Sequence, residues 1–238
     1  MTNNQLVQQH PASIDAYVRH GWSLVPIPPG TKGPRTTGWN LKENAVASQA
    51  ALPPGYGIGL AHAYSGTMAL DIDNWTSAIG ELTSHGVDLH ALYTAPDAVI
   101  IDSGRPGHGK LLYAMPDGLT LPSKKIILDG VTSYELRCAT SNDRTVQDVL
   151  PPSIHPDTQQ PYRWAGNGHW TRIPLLPQPL LDLWRQIINA EKQRTVAIEG
   201  ALPTSWHDIK AALSHITPDC SRDDWVGIGM ARVVGSRR

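Results

Sequence analysis

"AVIIDSG" (residues 98–104), "KLLYAMP" (110–116), "KIILDG" (125–130), "TSYELRCA" (132–139), "TVQDVLPP" (145–152) and "YRWAG" (162–166) are short extended runs that follow one another closely along the chain. Runs this short and this closely spaced leave no room for crossover helices, so they pair mainly as antiparallel hairpins. On either side the pattern is helical. "WTSAIGELTSHG" places Trp75, Ile79 and Leu82 at helical spacing and closes on a glycine. "LPQPLLDLWRQIINAEKQR" is amphipathic through Leu180, Leu181, Trp184, Ile187 and Ile188, and its pattern ends near Gln193. Together these predict an α+β fold, a mixed or antiparallel sheet with helices packed on it.

Upstream, "PASIDAYVRHG" reads as a helix behind a Ser13 cap and "WSLVPI" as a short strand. Residues 28–40, "PPGTKGPRTTGWN", form a Pro/Gly loop carrying Lys32 and Arg35. "KENAVASQAAL" then reads as helical and "YGIGLAH" as a strand. Downstream, Thr195 to Pro203 reads as a linker. "SWHDIKAALSHI" follows, with Trp206, Ile209, Leu213 and Ile216 on one stripe, and "SRDDWVGIGMARVV" starts another helix behind Ser221. The expected organisation is one domain over residues 1–196, a linker over 197–203 and a short helical segment over 204–238.

The charges nearly cancel, with 20 Lys and Arg against 21 Asp and Glu in 238 residues. A nucleic-acid partner would therefore be held by a local basic patch rather than by a globally cationic surface. Two cysteines far apart, Cys138 and Cys220, make neither a disulfide framework nor a zinc cluster. The start lacks the pattern of a secretion signal, and no window approaches about 18 apolar residues. A cytoplasmic protein with no membrane partner is expected.

The chemistry gathers around "TMALDIDNW" (67–75). Alternation along a strand puts Met68, Leu70 and Ile72 on one face and Asp71 with Asp73 on the other, the two carboxylates about 7 Å apart. Two ionised carboxylates side by side repel unless a cation sits between them. Hard divalent ions such as Mg²⁺ take oxygen ligands of this kind and share them with phosphates. The plain alternative is a solvated edge strand. "TSYELRCA" has the same grammar, with Glu135 and Arg137 opposite its apolar face. If it pairs with the first strand in matching register, Asp71, Asp73 and Glu135 form a carboxylate triad able to hold one or two ions. Alternatively, Glu135 simply pairs with a lysine across the strands.

"DSGRPGHGKLLYAMP" (102–116) brings Ser103, Arg105, His108 and Lys110 into a glycine-rich loop leading into a strand, where backbone N–H groups can approach phosphate oxygens. It lacks the helix and the Ser or Thr after lysine that define the GxxxxGK[ST] phosphate loop. A hairpin tip with solvated charges is the alternative. "LPPSIHPDTQQPYRW" (150–164) offers Ser153 and His155 in a proline-rich turn. No Ser-His-Asp or Cys-His arrangement points to a covalent nucleophile.

Taken in order, "GWSLVPIPPGTKGP", "YGIGLAHAYSGTMALDIDN", "DSGRPGHGKLLYAMP", "YELRCA" and "VLPPSIHPDTQQPYRW" resemble the bifunctional DNA primase/polymerase (prim-pol) domain of the archaeo-eukaryotic primase superfamily, found in phage, prophage and plasmid replication proteins. The resemblance covers roughly residues 13 to 190. It implies an RRM-like antiparallel or mixed catalytic sheet with flanking helices and a small N-terminal α/β subdomain. It also implies that Asp71, Asp73 and Glu135 bind the catalytic Mg²⁺ or Mn²⁺. The "TKGP" and "GIGLA" segments would line the nucleotide and template side. The family's middle motif usually places a histidine immediately before the strand that here begins "LLYAM". This chain has Lys110 there, with His108 two residues upstream, and its literal Ser-x-His is Ser153-Ile154-His155. The tail from Trp206 is similar to the start of a helical primase C-terminal domain that often precedes a helicase.

The expectation that follows is template-directed nucleotidyl transfer from an NTP or dNTP onto a strand paired with single-stranded DNA. Lys110 and Arg105, assisted by His108, Ser103, Ser153 and His155, hold the triphosphate, while Arg137 balances the acidic cluster. Lys32, Arg35, Lys124 and Lys125 contact template phosphates. The rival expectations are a non-catalytic module binding single-stranded DNA or a helicase, and a metal-dependent nuclease using the same acids.

Overall fold

Every one of the six short runs contains a strand in the computed structural model, which describes residues 13–201, the side chains of 196–201 excepted. The strands are β1 (Leu24–Ile27), β2 (Gly57–Ala61), β3 (Thr67–Ile72), β4 (Ile100–Asp102), β5 (Gly109–Ala114), β6 (Lys124–Leu128), β7 (Val131–Arg137), β8 (Gln147–Val149) and β9 (Arg163–Ala165). The helices are α1 (Ile14–Arg19), a single turn α2 (His62–Ser65), α3 (Trp75–Ser84), α4 (Leu89–Thr94) and α5 (Gln178–Ala201). The fold is α+β. The chain divides into two units, Met1–Ile187 and Ile188–Arg238, and the second is described only as helix up to Ala201. Among the described residues, no helix is long and apolar enough to cross a membrane.

Two antiparallel sheets make up the first unit: a six-stranded one ordered β6-β7-β3-β5-β4-β9 and a three-stranded one ordered β1-β2-β8. Of the two expected sheet types, the ladders choose the antiparallel one. The small sheet is not purely N-terminal, because its third strand, β8, arrives from about ninety residues further along.

β3 lies inside the large sheet, with β7 on one side and β5 on the other. Leu70 pairs with Leu136 and Leu111, and all three are fully buried. This apolar row shares a face with Ile72 and Tyr134, and α3 packs against β7. Asn74 caps α3 by accepting from the Ser77 N–H at 3.1 Å, which ends the strand directly after the acidic pair.

Beneath the small sheet lies an aromatic core. Tyr17, buried on α1, stacks on Trp22 and meets Trp164 and Trp170 edge-on. Its hydroxyl donates to the Pro151 carbonyl at 3.0 Å and accepts from Trp164 Nε1 at 2.7 Å. Truncating Trp164 to alanine removes this packing and a satisfied N–H, a loss of about 3–5 kcal/mol.

Two local expectations are corrected, and one helix is added to those expected. "KENAVASQAAL" forms not a helix but two 3₁₀ turns, Lys42–Asn44 and Gln49–Ala51, flanking an extended Val46. The Val46 N–H donates to the Leu24 carbonyl at 2.8 Å and its side chain is buried in the aromatic core, so tertiary pairing overrides helical propensity. α4, which no periodicity signalled, is a short helix capped by Asp88, whose carboxylate accepts from the Ala91 N–H at 2.9 Å. α5 continues through Ala201 instead of ending near Gln193. Its apolar stripe fades there, but no proline interrupts the backbone ladder, and the Thr195 hydroxyl bonds back to the Glu191 carbonyl at 3.0 Å. The expected linker therefore begins as helix, and the helical segment expected over 204–238 lies outside the described residues.

Candidate active site

Directly paired residues on antiparallel strands point to the same side of the sheet. Across the large sheet the ladders align Lys125, Glu135, Asp71, Lys110, Ile101 and Trp164 in one row. The apolar end of this row, Ile101 and Trp164, belongs to the aromatic core. The charged end is the candidate site. The register the sequence required is the one present: Asp71 pairs with Glu135. The solvated-edge reading of the aspartates is ruled out, since β3 has neighbours on both sides and the Asp71 side chain is 15% exposed.

Each carboxylate of the row has a cation beside it. Lys110 Nζ bonds Asp71 Oδ2, and Lys110 also reaches Asp148 Oδ1 at 2.8 Å. Glu135 accepts from Arg137 at 2.5 Å and from Lys125 at 2.8 Å. Burial alone would raise the Glu135 carboxyl, but these two partners hold it below its ordinary value. Asp73, one residue past β3, behaves oppositely. Burial, and then the charges of Asp71 and Glu135, push its carboxyl up, which puts the three carboxylates in one shared field.

A cleft of about 210 Å³ opens over this end of the sheet. Asp71, Asp73 and Lys110 form its floor, and the β4–β5 hairpin tip contributes Ser103, Arg105 and His108. Gly104 and Gly107 hold positive φ in that tip, the turn geometry its glycines allow. Lys32 and His155 close the cleft from the small-sheet side, along with Tyr162. His155 is buried, and its Nδ1 accepts from the Asp157 and Thr158 N–H groups, leaving Nε2 to carry the proton. Burial and the charge of Lys32 keep the ring neutral, a hydrogen-bond donor rather than a cation.

Other expected residues lie outside the cleft. Glu135 and Arg137 flank Asp71 and Lys110 on the same face but do not line it. Ser153 is buried, with its hydroxyl accepting from the Ile58 N–H at 2.8 Å and donating to the Ile58 carbonyl at 3.2 Å. Gly57 makes this latch possible, since a Cβ there would sit 2.7 Å from the Ser153 hydroxyl. Arg35 lines an adjoining open groove with Lys32, which pairs with Asp157 at 2.5 Å. Lys125 lies in the charged row, but Lys124 pairs with Leu136 in register and so belongs to the opposite face.

Two residues escaped the sequence reading. Asp148, on β8, is 3% exposed and accepts from His62 Nε2 at 2.9 Å and Arg137 Nε at 3.0 Å, besides Lys110. Arg137 and Lys110 hold its carboxyl well below the usual range against the cost of burial. Burial keeps His62 neutral, so its Nε2–H donates to Asp148 and its Nδ1 accepts from the Thr67 hydroxyl at 2.9 Å. The only signal for Asp148 was a carboxylate inside the otherwise apolar-flanked run "TVQDVLPP".

The donor chemistry of Asp71, Asp73 and Glu135 fits a hard divalent ion, because the oxygens are all carboxylate and the field at Asp73 is one a cation would relieve. The cage is not preassembled: among the described residues no three His, Cys, Asp or Glu side chains are grouped closely enough to hold a metal. Lys110, Arg137 and Lys125 take up the charge of Asp71 and Glu135 instead.

Fold and site define an α+β protein in which an acidic pair on a central antiparallel strand meets a basic hairpin tip across a cleft. Residues 14–179 match the family model for the N-terminal domain of bifunctional DNA primase/polymerase, and the chain belongs to that family. The matched span contains both sheets and every residue of the cleft. Among curated proteins none matches the chain.

Proposed function

We propose that the chain is a template-directed nucleotidyltransferase, a DNA primase/polymerase of a phage, prophage or plasmid replication system. The observation that carries this reading is the single cleft that unites Asp71 and Asp73 with Arg105, His108 and Lys110. In the proposed reaction a 3′-hydroxyl attacks the α-phosphate of a dNTP or NTP and pyrophosphate leaves. Asp71, Asp73 and Glu135 would hold Mg²⁺ or Mn²⁺, which when bound activates the hydroxyl and neutralises charge on the leaving group. Lys110 meets the triphosphate as a point charge, Arg105 and His108 close over it from the hairpin tip, and His155 donates from Nε2. Lys32 and Arg35 contact template phosphates along the adjoining groove. Residues 1–196 form the catalytic domain in this reading, and 204–238 begin a helical primase C-terminal domain that leads toward a helicase partner.

Primer extension on single-stranded DNA with Mn²⁺ and dNTPs tests this. Extension by wild type that disappears in the Asp71→Ala, Asp73→Ala double variant supports it, and equal extension by both sinks it.

A second reading, a non-catalytic module that binds single-stranded DNA or a helicase, is favoured by the ion pairs that already close off Asp71 and Glu135. Metal-dependent dNTP affinity that is lost in Glu135→Ala supports the enzyme. DNA binding indifferent to metal and nucleotide supports the module, and strand cleavage without nucleotide would mark a nuclease.

A further inference from the structure

The large sheet presents Lys110 from β5 and Arg137 from β7, on either side of β3. Each cation bridges two carboxylates. One belongs to the candidate metal set: Asp71 for Lys110, Glu135 for Arg137. The other is the same for both: Asp148, which descends from β8 of the small sheet. Ala69, fully buried on β3, pairs with Arg137 in the β3–β7 ladder and presents only a methyl group on that face. Asp148 is fixed in turn from behind by the neutral His62, itself held by Thr67. Arg137 has a further anchor in the Gln147 carbonyl at 2.8 Å.

We infer that Asp148 is a positioning residue: it keeps Lys110 aimed at a bound nucleoside triphosphate, with Arg137 held beside it, when Asp71 and Glu135 are engaged elsewhere. The inference rests on the nucleotidyl-transfer reading above. Any ligand cation that takes over Asp71 removes one of the two partners of Lys110. With Asp148 in place the ammonium retains a buried carboxylate at 2.8 Å and stays beside the cleft. Without it, Lys110 either returns to Asp71 and competes for that carboxylate, or leaves the floor on its flexible stem. Asp148 does not line the cleft, so it acts through the two cations and not on the ligand.

The sign of the effect separates this role from simple electrostatics. Asp148→Asn keeps the shape and removes one negative charge, which on charge alone tightens the binding of a triphosphate. Positioning requires the opposite. Using the full chain, the measurement is dATP affinity in Mn²⁺ by equilibrium titration, alongside affinity for a (dT)20 strand and the thermal midpoint. The expected result is dATP affinity weakened about tenfold or more, the scale of lost outer-shell support, with (dT)20 affinity changed less than about twofold. Lys110→Met and the Lys110→Met, Asp148→Asn double variant should then show nearly the same dATP affinity, because Asp148 acts largely through Lys110.

Unchanged or tighter dATP binding by folded Asp148→Asn overturns the inference, as do additive losses in the double variant. Should Asp148→Asn not fold, Asp148→Glu serves, keeping the charge and moving it by one methylene. Positioning predicts weakened dATP binding there, and wild-type affinity overturns it. If neither variant folds, the midpoint data make Asp148 a fold residue and the inference fails. Absence of dATP binding by wild type is a different outcome, which removes the nucleotidyl-transfer reading itself.

Discussion

Asp71 and Glu135 stand directly opposite one another on β3 and β7. Like charges in that position destabilise a sheet unless something offsets them. Here Lys110 offsets the first, and Arg137 with Lys125 the second, while Asp73 beside them has its carboxyl pushed up. The charged end of the sheet is thus organised around repulsion that is only partly relieved.

Replacing Asp73 by asparagine should separate activity from stability. Primer extension is expected to fall at least about a hundredfold, as for loss of a group that stabilises transition-state charge. The thermal midpoint should hold or rise, because a repelled charge has been removed. Mn²⁺ should raise the midpoint of wild type and leave that of Asp73→Asn nearly unmoved, since a ligand stabilises only the form that binds it. Retained extension with a lowered midpoint would contradict the assignment of Asp73.

Acid should destabilise the protein first through histidines. His62 and His155 are buried and neutral, both with folded values below the usual one near about 6.5. The unfolded chain therefore binds more protons, and stability is full above that value and falls as pH drops below it. Asp148 has a folded value well below the ordinary carboxylate one, so its contribution is lost only at lower pH, beneath about 4. Denaturant titrations at pH 7.5 and 5.5 should show the loss, and His62→Gln should reduce it. An unchanged pH slope in that variant would show that His62 is not the group responsible.

Ser153→Ala is expected to act on the fold and spare the site. It strips the Ile58 N–H of its buried acceptor, a loss of about 1–3 kcal/mol, with dATP affinity unchanged. A stable variant with weakened dATP binding would return Ser153 to the nucleotide.

Lys32→Ala and Arg35→Ala should each weaken single-stranded DNA binding uniformly across sequences. Each should also reduce the slope of log affinity against log salt by about one unit. Salt titrations of (dT)20 affinity measure this. An unchanged slope would remove that residue from the template path. Lys124, on the opposite face from Glu135, should leave the slope as it is when replaced.

Much of this protein could be read from the linear chain. Six short runs without space for crossovers dictated antiparallel pairing, and the two-residue period placed Asp71 and Asp73 on one face of their strand. Glu135 could be matched to them because it follows the same alternation, and the ladder puts it opposite Asp71. The basic residues before "LLYAM" could be named because they sit in one contiguous hairpin tip. These are local properties, set by backbone geometry over a few residues.

Asp148 was beyond that reach. Its partners come from α2, β5 and β7, so nothing within several residues of it distinguishes it from a solvated carboxylate. Ser153 illustrates the converse: the motif Ser-x-His suggested a ligand contact, while the fold ties its hydroxyl to β2. Likewise "KENAVASQAAL" has helical propensity, yet Val46 is drawn out to pair with Leu24. The sequence by itself determined the strands, their faces and the acidic pair. Only tertiary structure decided which cation neutralises which carboxylate, because burial and charge pairing depend on distances between segments far apart in the chain.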